Sequence, residues 1–471
     1  MSITSFLSKW ITRLFKLKKK KVELKKDKCS TFPLEKLPFL ALQEVIRNMD
    51  IQEGIRLALT SRKMRFKYTF PLGKLPFLAL KEVIRNMDIQ EGIRLALTSR
   101  KMRLNVKYSR LSVGSPIVRI HDEFSNVEMK EDVFLFNGFK IYKKANNSKE
   151  DKYIKRSELE PWLNPTLSTL QNTQNILLQI QNTFKCDKFV LVIDLRCIKT
   201  TIKDVLSISD FQNFETLNLY KGKLDEEDMN CLMENAKADQ DLHIYAEVPE
   251  NYYHKNVSFQ YMFKFYDIVY EDARFVKIEH LLTIKDNYII DLGKNNLTLS
   301  NINTFLKYWV NSECDLFKMM TIKTTEETGE ETEANLDILF DGLVVLKGFR
   351  FGCASWLCAA KSVESRKTPI LCFEWYEDEI SLFAHSIEER PKWIRSNNPM
   401  NEERLEEDEP YEPEFEILKV LEKKKDLEET MRIEENNERK LEIEKEIKEL
   451  DLQLLEKGVR MEQGRHVFGS V

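Results

Sequence analysis

His121, His243, His254, His280, His385 and His466, with eight cysteines at 29, 186, 197, 231, 314, 353, 358 and 372, are the residues from which this chain could build a metal centre or a nucleophile with its base. Their spacing serves neither use. A zinc site draws on closely spaced Cys and His pairs, and here no histidine is interleaved with the cysteines at ligand distances. There is no HExxH helix and no nucleophile elbow. Only 14 glycines occur, and none sits in a phosphate-cradling loop. The expectation is therefore a non-catalytic protein with no catalytic, cofactor-binding or metal-ligating residue and no cofactor. His243, on a predicted strand, reads as a core or rim histidine. The cysteines lie in apolar surroundings and read as reduced, mostly buried thiols, which suits a cytoplasmic or nuclear location.

The elements that could position anything follow from composition. In 471 residues, 42% are apolar, enough for two or three domains with real cores. Lys plus Arg total 73 and Asp plus Glu 77, so the near-zero balance offers no overall field to steer nucleic acid or a membrane. No window has the roughly 18 to 20 apolar residues of a membrane span, and a soluble chain is expected. Charge is instead segregated. In residues 1–28 ten cations oppose only Glu23 and Asp27, while Phe6, Leu7, Trp10, Ile11, Leu14 and Phe15 recur at helical spacing. A solvated basic leader, association with an acidic lipid surface and a nuclear-localisation patch all fit that segment. Nucleic-acid binding through the lysine run is the weakest of the readings.

An internal repeat is the most informative feature. Thr31–Arg65 recurs as Thr69–Arg103 with two changes, Glu35 to Gly73 and Gln43 to Lys81. In each copy the prolines hold extended backbone, after which Leu42, Val45, Ile46 and Met49 (Leu80, Val83, Ile84 and Met87 in the second) mark an amphipathic helix. Asp50 and Asp88 are placed to cap the next helix. About 35 residues make a marginal domain, so part of the apolar surface should meet a partner.

Leu37-Pro38, Leu42, Glu44-Val45-Ile46, Met49, Ile55-Arg56-Leu57 and Ser61-Arg62-Lys63, with their counterparts from Leu75-Pro76 to Ser99-Arg100-Lys101, resemble the F-box. The form FPLxKLPFLALxEVIRNM is similar to the nematode group that joins an F-box to an F-box-associated domain of the second type. The resemblance implies a substrate receptor that binds the Skp-type adaptor of a ubiquitin ligase, and through it cullin, with its C-terminal part selecting an unknown protein substrate. The adaptor-binding residues it implies are Leu37, Pro38, Leu42, Val45, Ile46, Met49 and Leu57 in copy one, and Leu75, Pro76, Leu80, Val83, Ile84, Met87 and Leu95 in copy two. Met64 and Met102 depart from a common Trp, Asp50 and Asp88 from a common Pro. Gly54 and Gly92 replace an apolar residue, which should soften the second helix.

Beyond the repeat, short apolar runs such as Phe189–Ile193, Leu217–Tyr220, Leu242–Tyr245, Asp267–Tyr270, Ile289–Leu292, Phe317–Ile322 and Leu343–Leu346 alternate with helical patterns. This rhythm predicts stacked strand-helix units related to leucine-rich repeats. Leu297–Trp309, with Ser300 as expected N-cap, also resembles the signature of that F-box-associated domain. Residues 402–416 are acidic and carry Pro410 and Pro413, as linkers do. Two apolar stripes then predict a helical hairpin that either caps the repeat or self-associates. The fold expected is α+β and multidomain: two short helical F-box copies, a central α/β leucine-rich-repeat-like domain and a C-terminal helical hairpin. Its boundaries are leader 1–30, copies 31–68 and 69–106, connecting segment 107–166, repeat domain 167–352, an unassigned 353–401, linker 402–416, hairpin 417–458 and tail 459–471.

Overall fold

The computed structural model describes residues 77–121, 125–129, 132–136, 153–154, 156–252, 262–324, 331–350, 353–376, 378–390, 392–394, 405–407 and 409–469. The leader, the first copy of the repeat and the first residues of the second lie outside them. The chain is mixed α/β and divides into two compact units.

The smaller unit holds the described part of the second copy together with residues 150–162 and 179–185. Three short helices follow one another: α1 (Phe77–Arg85), α2 (Ile89–Thr98) and α3 (Arg100–Ser109). Each boundary has a local cause. The Asp88 carboxylate accepts from Glu91 N at 2.7 Å and starts α2. Ser99 Oγ accepts from Met102 N at 3.2 Å and starts α3, which ends where Arg110 turns left-handed at φ 56°. The Ser99-Arg100-Lys101 run of the repeat is thus the cap and first turn of a third helix. Leu80, Ile84, Ile93, Ala96 and Val106 form the interior. Gly92 does more than soften α2. A Cβ there would stand 2.7 Å from Leu111 Cδ2 and 3.3 Å from Phe184, so its missing side chain lets these residues approach.

The larger unit is built on one mixed sheet. Its strands are β1 (Ile117–Ile120), β2 (Ser125–Met129), β3 (Asp132–Phe136), β4 (Phe189–Asp194), β5 (Phe214–Lys223), β6 (Asp241–Glu247), β7 (Asp267–Asp272), β8 (Asn287–Lys294), β9 (Phe317–Lys323), β10 (Leu346–Arg350), β11 (Cys353–Ala359), β12 (Ile370–Tyr376), β13 (Glu379–His385), β14 (Arg460–Glu462) and β15 (Arg465–Val467). The spatial order is β14-β15-β10-β11-β12-β13-β9-β8-β7-β6-β5-β4-β1-β2-β3. From β1 through β4 to β9 every pairing is parallel. Helices α4 (Ile202–Leu206), α5 (Glu226–Glu234), α6 (Ile278–Leu281) and α7 (Leu299–Asn311) lie in the connections, and α8 (Glu333–Leu339) follows β9. Right-handed crossovers put such helices on one face of the sheet. The core there joins Leu217, Leu219, Ile244, Tyr270 and Ile290 of the strands to Met229, Leu232, Phe305 and Trp309 of the helices. At Gly293 in β8 a Cβ would run into the Glu271 carbonyl of β7, so glycine permits the close approach of these two strands.

Three sequence expectations change here. Leu343–Leu346 does not continue the parallel series after β9. The next neighbour of β9 is β13, antiparallel, and β10 lies three strands farther out. The reason is β12: Ile370, Leu371, Cys372 and Phe373 are all buried, and a strand apolar on both faces belongs inside a sheet. The stretch from Cys353, unassigned by sequence, therefore supplies three inner strands. Secondly, α7 is capped by Thr298 in a capping box with Asn301, two residues earlier than a Ser300 cap would allow. Thirdly, the helix expected from Ile417 is α9 (Glu412–Ile433), and the acidic residues Glu412 and Glu414 with Pro413 form its first turn, where helices favour both.

A second long helix, α10 (Asn437–Glu456), follows, its Asn436 side chain accepting from Glu438 N and Arg439 N. The two helices pack on each other, joined by an ion pair between Lys424 and Asp451. Phe415, Ile417, Leu418 and Leu421 of α9 share a core with Leu346, Leu357, Ile370 and Cys372 of β10, β11 and β12. Among the described residues no helix is long and apolar enough to cross a membrane.

Candidate partner-binding surfaces

The second copy of the repeat shows where its motif residues go. Leu80 and Ile84 of α1, with Met87 just past its end, recur at i, i+4 and i+7 in the sequence, and they are buried, at 3%, 0% and 7% exposure. Val83 and Leu95 are half-buried. Leu75 and Pro76, like Leu37, Pro38, Leu42, Val45, Ile46, Met49 and Leu57 of the first copy, lie outside the described residues. The apolar side chains that reach solvent are others: Phe77, Leu78, Leu104 and Tyr108, with Leu78 at 73%. Helical periodicity marks a core stripe without telling whether a partner or the chain itself covers it. Leu78 could have been found as the apolar residue lying off that stripe, whereas Phe77, three residues before Leu80, lies on it.

Phe77 and Tyr108 meet edge to face with ring centroids 6.4 Å apart, and they line a cleft of about 490 Å³ with Lys81, Arg85, Lys107 and Arg110. Arg85 pairs with Glu82 at 3.0 Å and donates from Nε to Ser109 O at 3.3 Å.

In the larger unit the face of the sheet away from α5 and α7 carries a polar row. Asn218, His243, Val269, Asp291, Thr321, Ser381 and Glu374 are successive cross-strand partners from β5 to β12. His243 Nδ1 lies 3.1 Å from Asn218 Oδ1, and burial lowers its pKa, which favours the neutral ring. Burial raises the Asp267 and Asp291 carboxyls, helped by Asp241 at the first and Glu379 at the second, and it raises Glu374 too. Tyr220 and Tyr245 stack at 4.8 Å along the next row. Met319, Phe383, Cys372 and Leu357, one row to the other side, share this face because side chains alternate with period two. Since Cys372 and Leu357 pack against α9, the hairpin stands over the antiparallel end of this face.

Among the described residues no group of three or more His, Cys, Asp or Glu is arranged to hold a metal ion. Burial pushes the Cys186 and Cys358 thiols up to about 12, which keeps them protonated and poor nucleophiles near neutral pH. No family model, no curated protein and no solved structure matches the chain.

Proposed function

We propose that this chain is the substrate-recognition subunit of a Skp-cullin-F-box ubiquitin ligase, binding the Skp adaptor through its tandem repeat and a protein substrate through the larger unit, and working in the cytoplasm or nucleus. The observation that carries the reading is the 35-residue motif itself, written twice with two changes. In support, the second copy is a small capped bundle that leaves Leu78, Leu104 and Tyr108 in water, as a surface kept for a partner would. The polar face of β5 to β9, opposite the buried strand residues that pack on α5 and α7, offers a separate place for a substrate. Such a receptor does no thioester chemistry; it raises the effective concentration of a substrate lysine near the charged conjugating enzyme.

Co-purification of the full chain with a Skp-type adaptor tests this. Leu78→Asp with Leu104→Asp, combined with Leu40→Asp in the first copy, should cut adaptor recovery at least tenfold without changing the circular dichroism. Undiminished recovery sinks the proposal.

One further observation favours a second reading, a ligase-independent interaction scaffold. Leu441, Leu452 and Leu455 of α10 are each at least 60% exposed, and such residues could meet another copy or another protein.

A further inference from the structure

We infer that the Phe77–Tyr108 cleft of the smaller unit is a binding site for a phosphate monoester carried on an aromatic ring. The inference stands on charge, ring placement and the repeat, and it does not depend on the ligase reading.

Four of the six residues lining the cleft are cations, and no carboxylate is among them. Arg85 has Glu82 beside it, whereas Lys81, Lys107 and Arg110 have no ion-pair partner among the described residues. Placing basic residues near a helix end satisfies the helix dipole, which explains Arg85 and Lys107 singly. It does not explain Lys81 in the middle of α1. Four positive charges around 490 Å³ repel one another. A dianion relieves that repulsion more effectively than a single carboxylate, and the guanidinium fork matches phosphate oxygens. The volume falls in the range of small-ligand sites, about 300 to 1,000 Å³. Phe77 at 46% and Tyr108 at 58% exposure offer ring faces and edges on which an aromatic body can stack.

The repeat supplies an independent argument. With a period of 38 residues, the first-copy counterparts of Phe77 and Arg85 are Phe39 and Arg47, unchanged. The counterparts of Lys81, Lys107, Tyr108 and Arg110 are Gln43, Thr69, Phe70 and Leu72. One of only two substitutions between the copies therefore adds a charge to this cleft, and the other three lining residues come from chain that follows the repeat. Core positions are the same in both copies, and one of their two differences falls in this basic recess.

Phosphorylated tyrosine in a protein and a free aryl phosphate share this chemistry. The full chain would be titrated calorimetrically at low salt with phenyl phosphate, inorganic phosphate and phenol. Phenyl phosphate should bind at least fivefold more tightly than inorganic phosphate, and phenol should give no measurable binding. Lys81→Gln with Lys107→Thr and Arg110→Leu, which installs the first-copy residues, should weaken phenyl phosphate at least tenfold, while Lys81→Arg should leave it within threefold. These side chains lie at the surface, and an unchanged helical spectrum would verify the fold. A phosphotyrosine peptide binding more tightly than phenyl phosphate would assign the source to protein, and the reverse order would assign it to a free ligand; either order supports the site. No binding of phenyl phosphate at millimolar concentration, or equal binding by the wild type and the triple variant, overturns it.

Discussion

The Arg366 guanidinium is fully removed from solvent, and several neighbours make that tolerable. It lies 3.9 Å from the Trp309 ring centroid, donates from Nη1 to the Trp309 carbonyl at 2.7 Å, and has Asp315 within 3.6 Å. Asp315 in turn accepts from Lys367 N, Thr368 N and Thr368 Oγ1, which with Arg366 hold its carboxyl below the ordinary range despite burial. Arg366→Met keeps most of the volume but leaves Asp315 and a buried carbonyl short of a partner. Chemical denaturation should show a loss of about 2–4 kcal/mol. A second charge cluster acts on pH. His385 at 3.4 Å and Lys318 at 2.7 and 2.9 Å hold the Glu389 carboxyl down to about 2. A depressed carboxyl stabilises the folded state above its unfolded value of about 4.5, and that contribution fades as pH falls from 4.5 toward 2. Allowing for partial exposure, it is worth about 1–2 kcal/mol. Stability curves at pH 7 and pH 3 should therefore separate Glu389→Gln from the wild type by about that amount at pH 7 and by clearly less at pH 3. An equal difference at both would rule this out.

At the scale of elements, the two hairpin helices show how one amphipathic pattern is divided between uses. The first half of α9 is core, with Phe415, Ile417 and Leu418 at 3%, 1% and 1% exposure. On α10 only Ile443, Leu450 and Leu454 are buried, and Leu441, Leu452 and Leu455 lie outside the contact with α9. Leu418→Ala should cost about 2–5 kcal/mol through the cavity it leaves, whereas Leu452→Ala should stay within about 0.5 kcal/mol. Thermal unfolding of the two variants distinguishes a hairpin that is part of the sheet's core from one that is merely appended. Comparable small losses in both would mean that the packing of α9 on β10 to β12 contributes little. The caps belong to this scale as well. Asp88 caps its helix where short-range reasoning puts it, while Thr298 displaces Ser300 because its capping box with Asn301 satisfies two backbone donors at once.

At the scale of the whole molecule, what the sequence alone determined is local. The repeat, the amphipathic stripes, the buried runs of β4 to β9 and the polar breaks between them can be read from periods of 3.6 and 2, since each depends on residues a few positions apart. The same reading identified Leu80, Ile84 and Met87 as one apolar stripe, yet whether a stripe faces a partner or its own bundle depends on α2 and α3, and they cover it. Likewise the insertion of β11, β12 and β13 between β9 and β10 was settled only by tertiary structure, as was the seating of α9 on them. Strand order and helix docking depend on contacts between residues tens of positions apart, and those contacts are selected by which packing buries the doubly apolar β12. The basic cleft arose in the same way: its cations come from two helices 26 residues apart in sequence, from Lys81 to Lys107, and only folding gives them a common space.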